Sequence, residues 1–279
     1  MKKMMKTMSS AVFSLLVLCG ACLAGARGRS FDAAYGVFIG MNGGEALRSE
    51  RVLRTQTLVV DPANFGKQEI EFLRSSGHTV YGYLNIGSLE EFRPYYDRFK
   101  RLILGRYEHW DGEWWIDVSA ASWRDFIVSE LAAGYVKKGI DGFFVDNCDV
   151  YHYRKETGIF DGLTEVLRRL SGYGLEVLIN GGDEYATAVL EKYGGIEGLF
   201  SGVNQENVFT RTDFERGTFG RNPESDKRYF MAYLERMERA GARVWLLEYT
   251  RDASMAEEIE RFCSARGWGC FVSDSVELD

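Results

Sequence analysis

The sequence predicts an α/β fold, a single (β/α)8 TIM barrel following a leader, and three observations carry that reading. Eight short apolar runs rich in Val, Ile, Phe, Tyr and Leu recur along the chain. Amphipathic stretches separate them, as expected of β/α units on a parallel sheet. The 279 residues, less a leader, come to about 250, the usual size of such a barrel built as one domain.

The runs, in order, are YGVFIG (35–40), TLVVD (57–61), TVYGYLN (79–85), GFFVDN (142–147), EVLIN (176–180), GLFSGVN (198–204), VWLLEY (244–249) and CFVSD (270–274). Near-continuous apolar strands belong to a sheet covered on both faces. Between them, GKQEIEFLRSSG (66–77) sets Ile70 and Leu73 on one face and stops at Gly77. SWRDFIVSELAAGYVKKG (122–139) spaces Phe126, Ile127, Leu131 and Val136 helically. DKRYFMAYLERMERAG (226–241) and SMAEEIERFCSARG (254–267) repeat the scheme, each closing on a glycine, a common helix stop. A ninth run, EWWIDV (113–118), lies in the long connection between the third and fourth strands and is assigned to an inserted loop. An open doubly wound sheet is the competing fold, but no glycine-rich phosphate fingerprint follows the first strand.

Residues 1–26 differ in kind. Lys2, Lys3 and Lys6 precede the apolar AVFSLLVLCGACLAG, and Ala24-Gly25-Ala26 ends it, the pattern of a secretory signal peptide. The barrel is then 27–279, exported to the periplasm, the cell surface or beyond. Gly20-Ala21-Cys22 also resembles the end of a lipoprotein signal, so anchoring through Cys22 is an alternative. No other apolar run approaches 20 residues, so no membrane span is expected. Losing residues 1–26, with three lysines and no acids, takes the formal charge from −7 to −10. Such a chain is a poor match for nucleic acid and suits a neutral or cationic partner. Three cysteines then remain (Cys148, Cys263, Cys270), an odd number; Cys263 and Cys270 either pair or stay buried thiols. The scattered His78, His109 and His152 make no metal cluster, and neither a metal nor an organic cofactor is expected.

In this fold the chemistry sits where the strands end. Those ends carry Asp61, Asn85, Asp146, Asn147, Asp149, Asn180, Asn204, Gln205, Glu206, Glu248 and Asp274. Turn and capping preferences account for many of the Asp and Asn residues, but poorly for Glu206 and Glu248. A rim of carboxylates and carboxamides meets the needs of glycoside hydrolysis: one protonated acid, one carboxylate, and partners for sugar hydroxyls. Tyr35, Tyr83, Trp110, Trp114, Trp115, Tyr151, Tyr153 and Tyr249 fall near the same rim, where rings could stack on sugars; core packing competes for about half of them. Asp141 precedes its strand and belongs to the opposite, stabilising rim. Asp117 reads as a loop anchor or helix cap.

VYGYLNIGSLEEFRPYY, WWIDVSAASWRDFI and GIDGFFVDNCDVY, in that order, resemble glycoside hydrolase family 114, a TIM-barrel family that includes endo-α-1,4-polygalactosaminidases. The resemblance implies paired catalytic acids, Asp146 in FVDNCD and Glu206 in VNQENV. Asp146 is taken as nucleophile or base and Glu206 as acid, an order the sequence leaves open. It also implies rim positions for substrate or support at Tyr83, Asn85, Arg93, Asn147 and Asp149. Cys148 departs from the apolar residue expected there. Asn180 and Glu248 join the substrate-binding candidates from their strand ends, Glu248 also as rival second acid. Arg93 either orients a carboxylate or is a solvated helix-face arginine. The expected activity is hydrolysis of an α-linked, galactosamine-containing polysaccharide; the alternative is a carbohydrate-binding barrel without turnover.

Overall fold

The computed structural model describes residues 31–279 except His109 and Glu215. The leader assignment (1–26) and Cys22 lie outside the described residues.

Among the described residues there are thirteen strands, in chain order: β1 (Ala33–Phe38), β2 (Thr55–Val60), β3 (Thr79–Asn85), β4 (Ser88–Glu90), β5 (Ile103–Arg106), β6 (Glu113–Ile116), β7 (Gly142–Asp146), β8 (Glu176–Asn180), β9 (Gly202–Glu206), β10 (Thr210–Asp213), β11 (Thr218–Arg221), β12 (Arg243–Tyr249) and β13 (Gly269–Ser273). Eight of them form one parallel sheet in the order β1-β2-β3-β7-β8-β9-β12-β13, a nearly closed barrel. At the seam between its first and last strands, Phe38 and Phe271 pack edge-on with ring centroids 5.2 Å apart, and Arg51 covers Phe271. The helices between strands bury one face each: Ile70 and Leu73 from Lys67–Ser75, and Leu163, Val166, Leu167 and Leu170 from Thr157–Ser171. The helical region 121–138 runs in π geometry over Phe126–Ala132.

Two expectations are corrected. The sixth barrel strand is Gly202–Glu206, not 198–204. Leu199 and Phe200 are buried in the turn that precedes it, while polar Asn204 and Gln205 are buried within the ladder. The apolar run marks the lead-in, and the strand itself is polar because it carries site residues. The EWWIDV segment is not loop. Glu113–Ile116 is the centre of a three-stranded antiparallel sheet, flanked by Ser88–Glu90 and Ile103–Arg106, standing on the rim between β3 and β7.

The barrel floor is aromatic. Tyr35 and Tyr81 pack on Trp245, at 4.3 and 6.5 Å, and the Tyr81 hydroxyl meets Glu176 and Arg243. Asp141 ties the same end: it accepts from the Val80 amide at 2.9 Å and pairs with Arg74 at 2.7 Å. Trp123, fully buried, donates to the Ile86 carbonyl at 2.8 Å and so fixes the turn beneath the inserted sheet. A buried ring of that size is worth about 3–5 kcal/mol against alanine.

Candidate active site

Side chains alternate across a strand, so residues two apart share a face. Tyr81, Tyr83 and Asn85 of β3 do so, as do Asn204 and Glu206 of β9. Parallel register then sets neighbours: Asn85 lies beside Asp146, and Asn180 beside Asn204. Side chains from six strands, β1, β3, β7, β8, β9 and β12, form one hydrogen-bonded chain.

Its centre is Asn180. The carboxamide nitrogen donates to Asp146 Oδ1 at 2.9 Å and to Glu206 Oε1 at 2.7 Å. Two oxygens bound to one nitrogen can be no more than about 5.6 Å apart. Asn204 orients the carboxamide by donating to its oxygen at 2.7 Å, and Tyr35 donates to Asn204 at 3.1 Å. The second carboxylate oxygens are also taken: Tyr83 donates to Asp146 Oδ2 at 2.9 Å and Tyr249 to Glu206 Oε2 at 2.8 Å. Burial raises all three phenols well above their ordinary range, which keeps them as donors.

Burial also pushes Asp146 up to about 6, with the Glu206 charge adding; Asn180, Tyr83 and the Asn147 amide oppose it. Glu206 is raised by burial against the pull of Asn180 and Tyr249. Two carboxyl groups this close, both raised by burial, are an arrangement that can divide the roles of acid and base between them.

The inserted sheet supplies a third carboxyl group that sequence reasoning missed. Glu113 Oε1 accepts from Asn85 Nδ2 (3.2 Å), Asn147 Nδ2 (3.0 Å) and the Ser88 hydroxyl. Burial, with Asp146 and Glu90 adding, pushes it up to about 7. The available signal was the alternation in EWWI, which puts Glu113 and Trp115 on one face. Gly87 lets this sheet approach: a Cβ there would lie 1.7 Å from the Asn147 carbonyl oxygen. Asn85 and Asn147 are thus both at the site, next to Asp146.

Other candidates fall elsewhere. Arg93 is buried, and its guanidinium joins Asp61 (2.7 Å) to Glu90 (2.5 Å); it is neither solvated nor free for substrate. The two acids beside it consume its donors, which corrects its assignment as a substrate contact. Glu248 is fully buried, on the opposite face of β12 from Tyr249. Both its oxygens accept, from the amides of Val208, Phe209 and Thr210 and from the Thr210 hydroxyl. It anchors the chain leaving β9, so it is neither substrate contact nor second acid. Asp149 accepts from the Gly182 amide at 2.9 Å, and burial pushes it up to about 7. It braces the turn after Asn180. Asp117 accepts from the Ser119 amide and hydroxyl, a loop anchor.

Rings stand on both sides of the acids. Tyr107, whose phenol is raised by burial and further by the charges of Asp146, Asp149, Glu113 and Glu206, packs on Trp115 at 4.4 Å. Tyr153 stacks on Trp115 at 5.5 Å. Phe219 of β11 stacks on Tyr249 at 6.0 Å. Tyr151 faces outward onto Phe160 and Tyr185.

The profile of glycoside-hydrolase family GH114 matches residues 26–272. The chain belongs to that family. As a GH114 member it is a glycosidase, and solved structures agree on the fold. The glycoside hydrolase domain of PelA from Pseudomonas aeruginosa superposes with a TM-score of 0.70 at 21% identity, over 88% of this chain and 95% of that one. Aspergillus fumigatus Ega3, solved in complex with galactosamine, gives 0.69 at 15% identity, over 90% and 94%. An uncharacterized Thermotoga maritima protein is 20% identical over 249 residues, 78% of this GH114 chain and 72% of that one.

Proposed function

We propose that this GH114 protein cleaves an α-linked amino-sugar polysaccharide with retention of anomeric configuration, Asp146 acting as nucleophile and Glu206 as acid and base. The observation that carries this is the carboxamide of Asn180, which holds an oxygen of each acid within 3 Å. Carboxyl groups about 5–5.5 Å apart suit direct attack, while inversion needs about 6.5–9.5 Å to admit a water. Asp146 takes three donors, one a backbone amide, against two for Glu206. The richer donor set suits Asp146 to carry the charge of a nucleophile, against the Glu206 charge that raises its carboxyl group.

In the first step Glu206 gives its proton to the glycosidic oxygen as Asp146 attacks the anomeric carbon. The C–O bond breaks, and a glycosyl ester forms on Asp146. Glu206, now a carboxylate, takes a proton from water, whose oxygen attacks the same carbon and frees Asp146. The aromatic rings around Tyr107 and Phe219 offer faces for neighbouring sugars. An amino sugar is supported by the galactosamine bound in the Ega3 relative and by the excess of carboxylates in the cleft. Export is supported by the leader pattern of residues 1–26.

The test is reducing-end release from galactosamine polymer by wild type, Asp146→Asn and Glu206→Gln. Loss of turnover by about 10³-fold or more in both variants, with polymer binding retained, is expected. Binding without turnover in the wild type would leave a carbohydrate-binding barrel.

A further inference from the structure

We propose that Glu113 recognises a free ammonium group on the sugar whose anomeric carbon Asp146 attacks, and so sets a preference for amino over acetamido sugars. This rests on the amino-sugar reading above and adds the residue that makes the distinction.

Position comes first. Glu113 is bound to Asn147, the residue after Asp146, and to Asn85, the register partner of Asp146. Its carboxyl group therefore flanks the attacking carboxylate. In a 2-amino sugar the nitrogen sits on the carbon next to the anomeric carbon, so an acceptor flanking the nucleophile is within its reach.

The bonding of Glu113 is lopsided. All three of its donors converge on Oε1, and Oε2 has no donor among the described residues and is not a sealed, unsatisfied atom. The structural carboxylates of this protein are bonded differently. Glu248 fills both oxygens, and Asp61 divides its own between the Ala63 amide and Arg93. A carboxylate held rigidly by one oxygen, with the other left open at a cleft, is built to accept from something that arrives.

Charge points the same way. None of Asp146, Glu206 and Glu113 has a cationic partner among the described residues, and Arg93, which lies over the Tyr83 ring, is occupied by Asp61 and Glu90. Burial makes the uncompensated charge on Glu113 costly. A sugar ammonium would supply the missing counter-charge and a charge-assisted hydrogen bond. An acetamido group would bring no charge, and its carbonyl oxygen is an acceptor like Oε2 itself.

The experiment uses the whole chain and two oligosaccharides of the same linkage, one of galactosamine and one fully N-acetylated. Wild type should have the higher kcat/KM on the free amine. In Glu113→Gln the amide oxygen can still accept from Asn85, Ser88 and Asn147, so the cradle survives. The ratio of the two kcat/KM values should fall about 10- to 100-fold, the worth of one hydrogen bond to a charged group. Glu113→Asp keeps the charge and should recover part of the ratio. An unchanged ratio in Glu113→Gln, or an equal loss on both substrates, overturns the assignment while leaving the amino-sugar reading intact. A wild type that prefers the acetylated oligosaccharide, or cleaves neither, overturns both.

Discussion

Asn180 is the most informative single position, because one side-chain nitrogen serves both acids. In Asn180→Ala, Asp146 Oδ1 and Glu206 Oε1 lose their donors at 2.9 and 2.7 Å together. A hydrogen bond to a charged group contributes about 1.5–3 kcal/mol, and one pKa unit corresponds to about 1.4 kcal/mol. Each carboxyl group should therefore hold its proton about 1–2 units higher. Asp146 starts at about 6, so the acid limb of kcat/KM, set by the need for an ionised nucleophile, should move into the range of about pH 7–8. The alkaline limb, set by the protonated Glu206, should move up in the same direction. Asn204 Nδ2 also loses its acceptor, costing about 1–3 kcal/mol of stability, so thermal melts must accompany the kinetics. The assay is kcat/KM from reducing-end release across about pH 4–9. A lowered plateau with both limbs in their wild-type positions would refute the reasoning, since Asn180 would then act on substrate alone and not on the proton affinity of the pair.

Glu248→Leu should destabilise the fold by about 3 kcal/mol or more in urea unfolding, because three amides and a hydroxyl lose their acceptor in a buried place; wild-type stability would contradict its role as an anchor. Stability should also fall as pH rises. The carboxyl groups of Asp146, Asp149 and Glu113 are raised to about 6, 7 and 7. Between their unfolded values and these, the folded chain holds protons that the unfolded chain has released. Their contribution is thus complete below about pH 4 and lost as pH climbs through about 6–7, on the order of 10 kcal/mol in all. Melting temperatures measured from about pH 4.5 to 7.5 should decline, and a rise over that interval would refute the sign.

The fold was legible because its signal is periodic. Strands such as Thr79–Asn85 and Glu176–Asn180 are apolar between their first residue and their last, and both match the sequence-derived bounds. Asp146 could be read for the same reason: it ends an apolar run. Glu206 was harder, since Gly202–Glu206 is polar over most of its upper half and its apolar lead-in lies in a turn. Glu248 and Arg93 misled because sequence position gives the end of an element but not how its oxygens or nitrogens are spent. Glu248 lies one residue from Tyr249 and faces the other way. Glu113 was missed because nothing local says that a strand in an insertion folds back onto the rim. Only the close approach permitted at Gly87 and the donors on Asn85, Ser88 and Asn147 place it there.

The two acids are mounted alike, and this explains why the inserted segments sit where they do. Asp146 is followed by Asn147 with φ 65°, and Glu206 by Asn207 with φ 55°. Both asparagines adopt the left-handed conformation, which most side chains resist and asparagine tolerates. The strand therefore stops directly after each carboxylate, and the backbone turns away from the cleft. Glycine would make that turn at lower cost, but it would bring no side chain. Asn147 uses its carboxamide to hold Ser88 and Glu113 of the inserted sheet. Asn207 accepts from Thr210 and Thr212 of β10, at 3.2 Å each. The residue that follows each of these strands is thus also the latch for the segment standing over it. Substitution of either asparagine by glycine should leave the barrel folded and loosen the wall next to one acid.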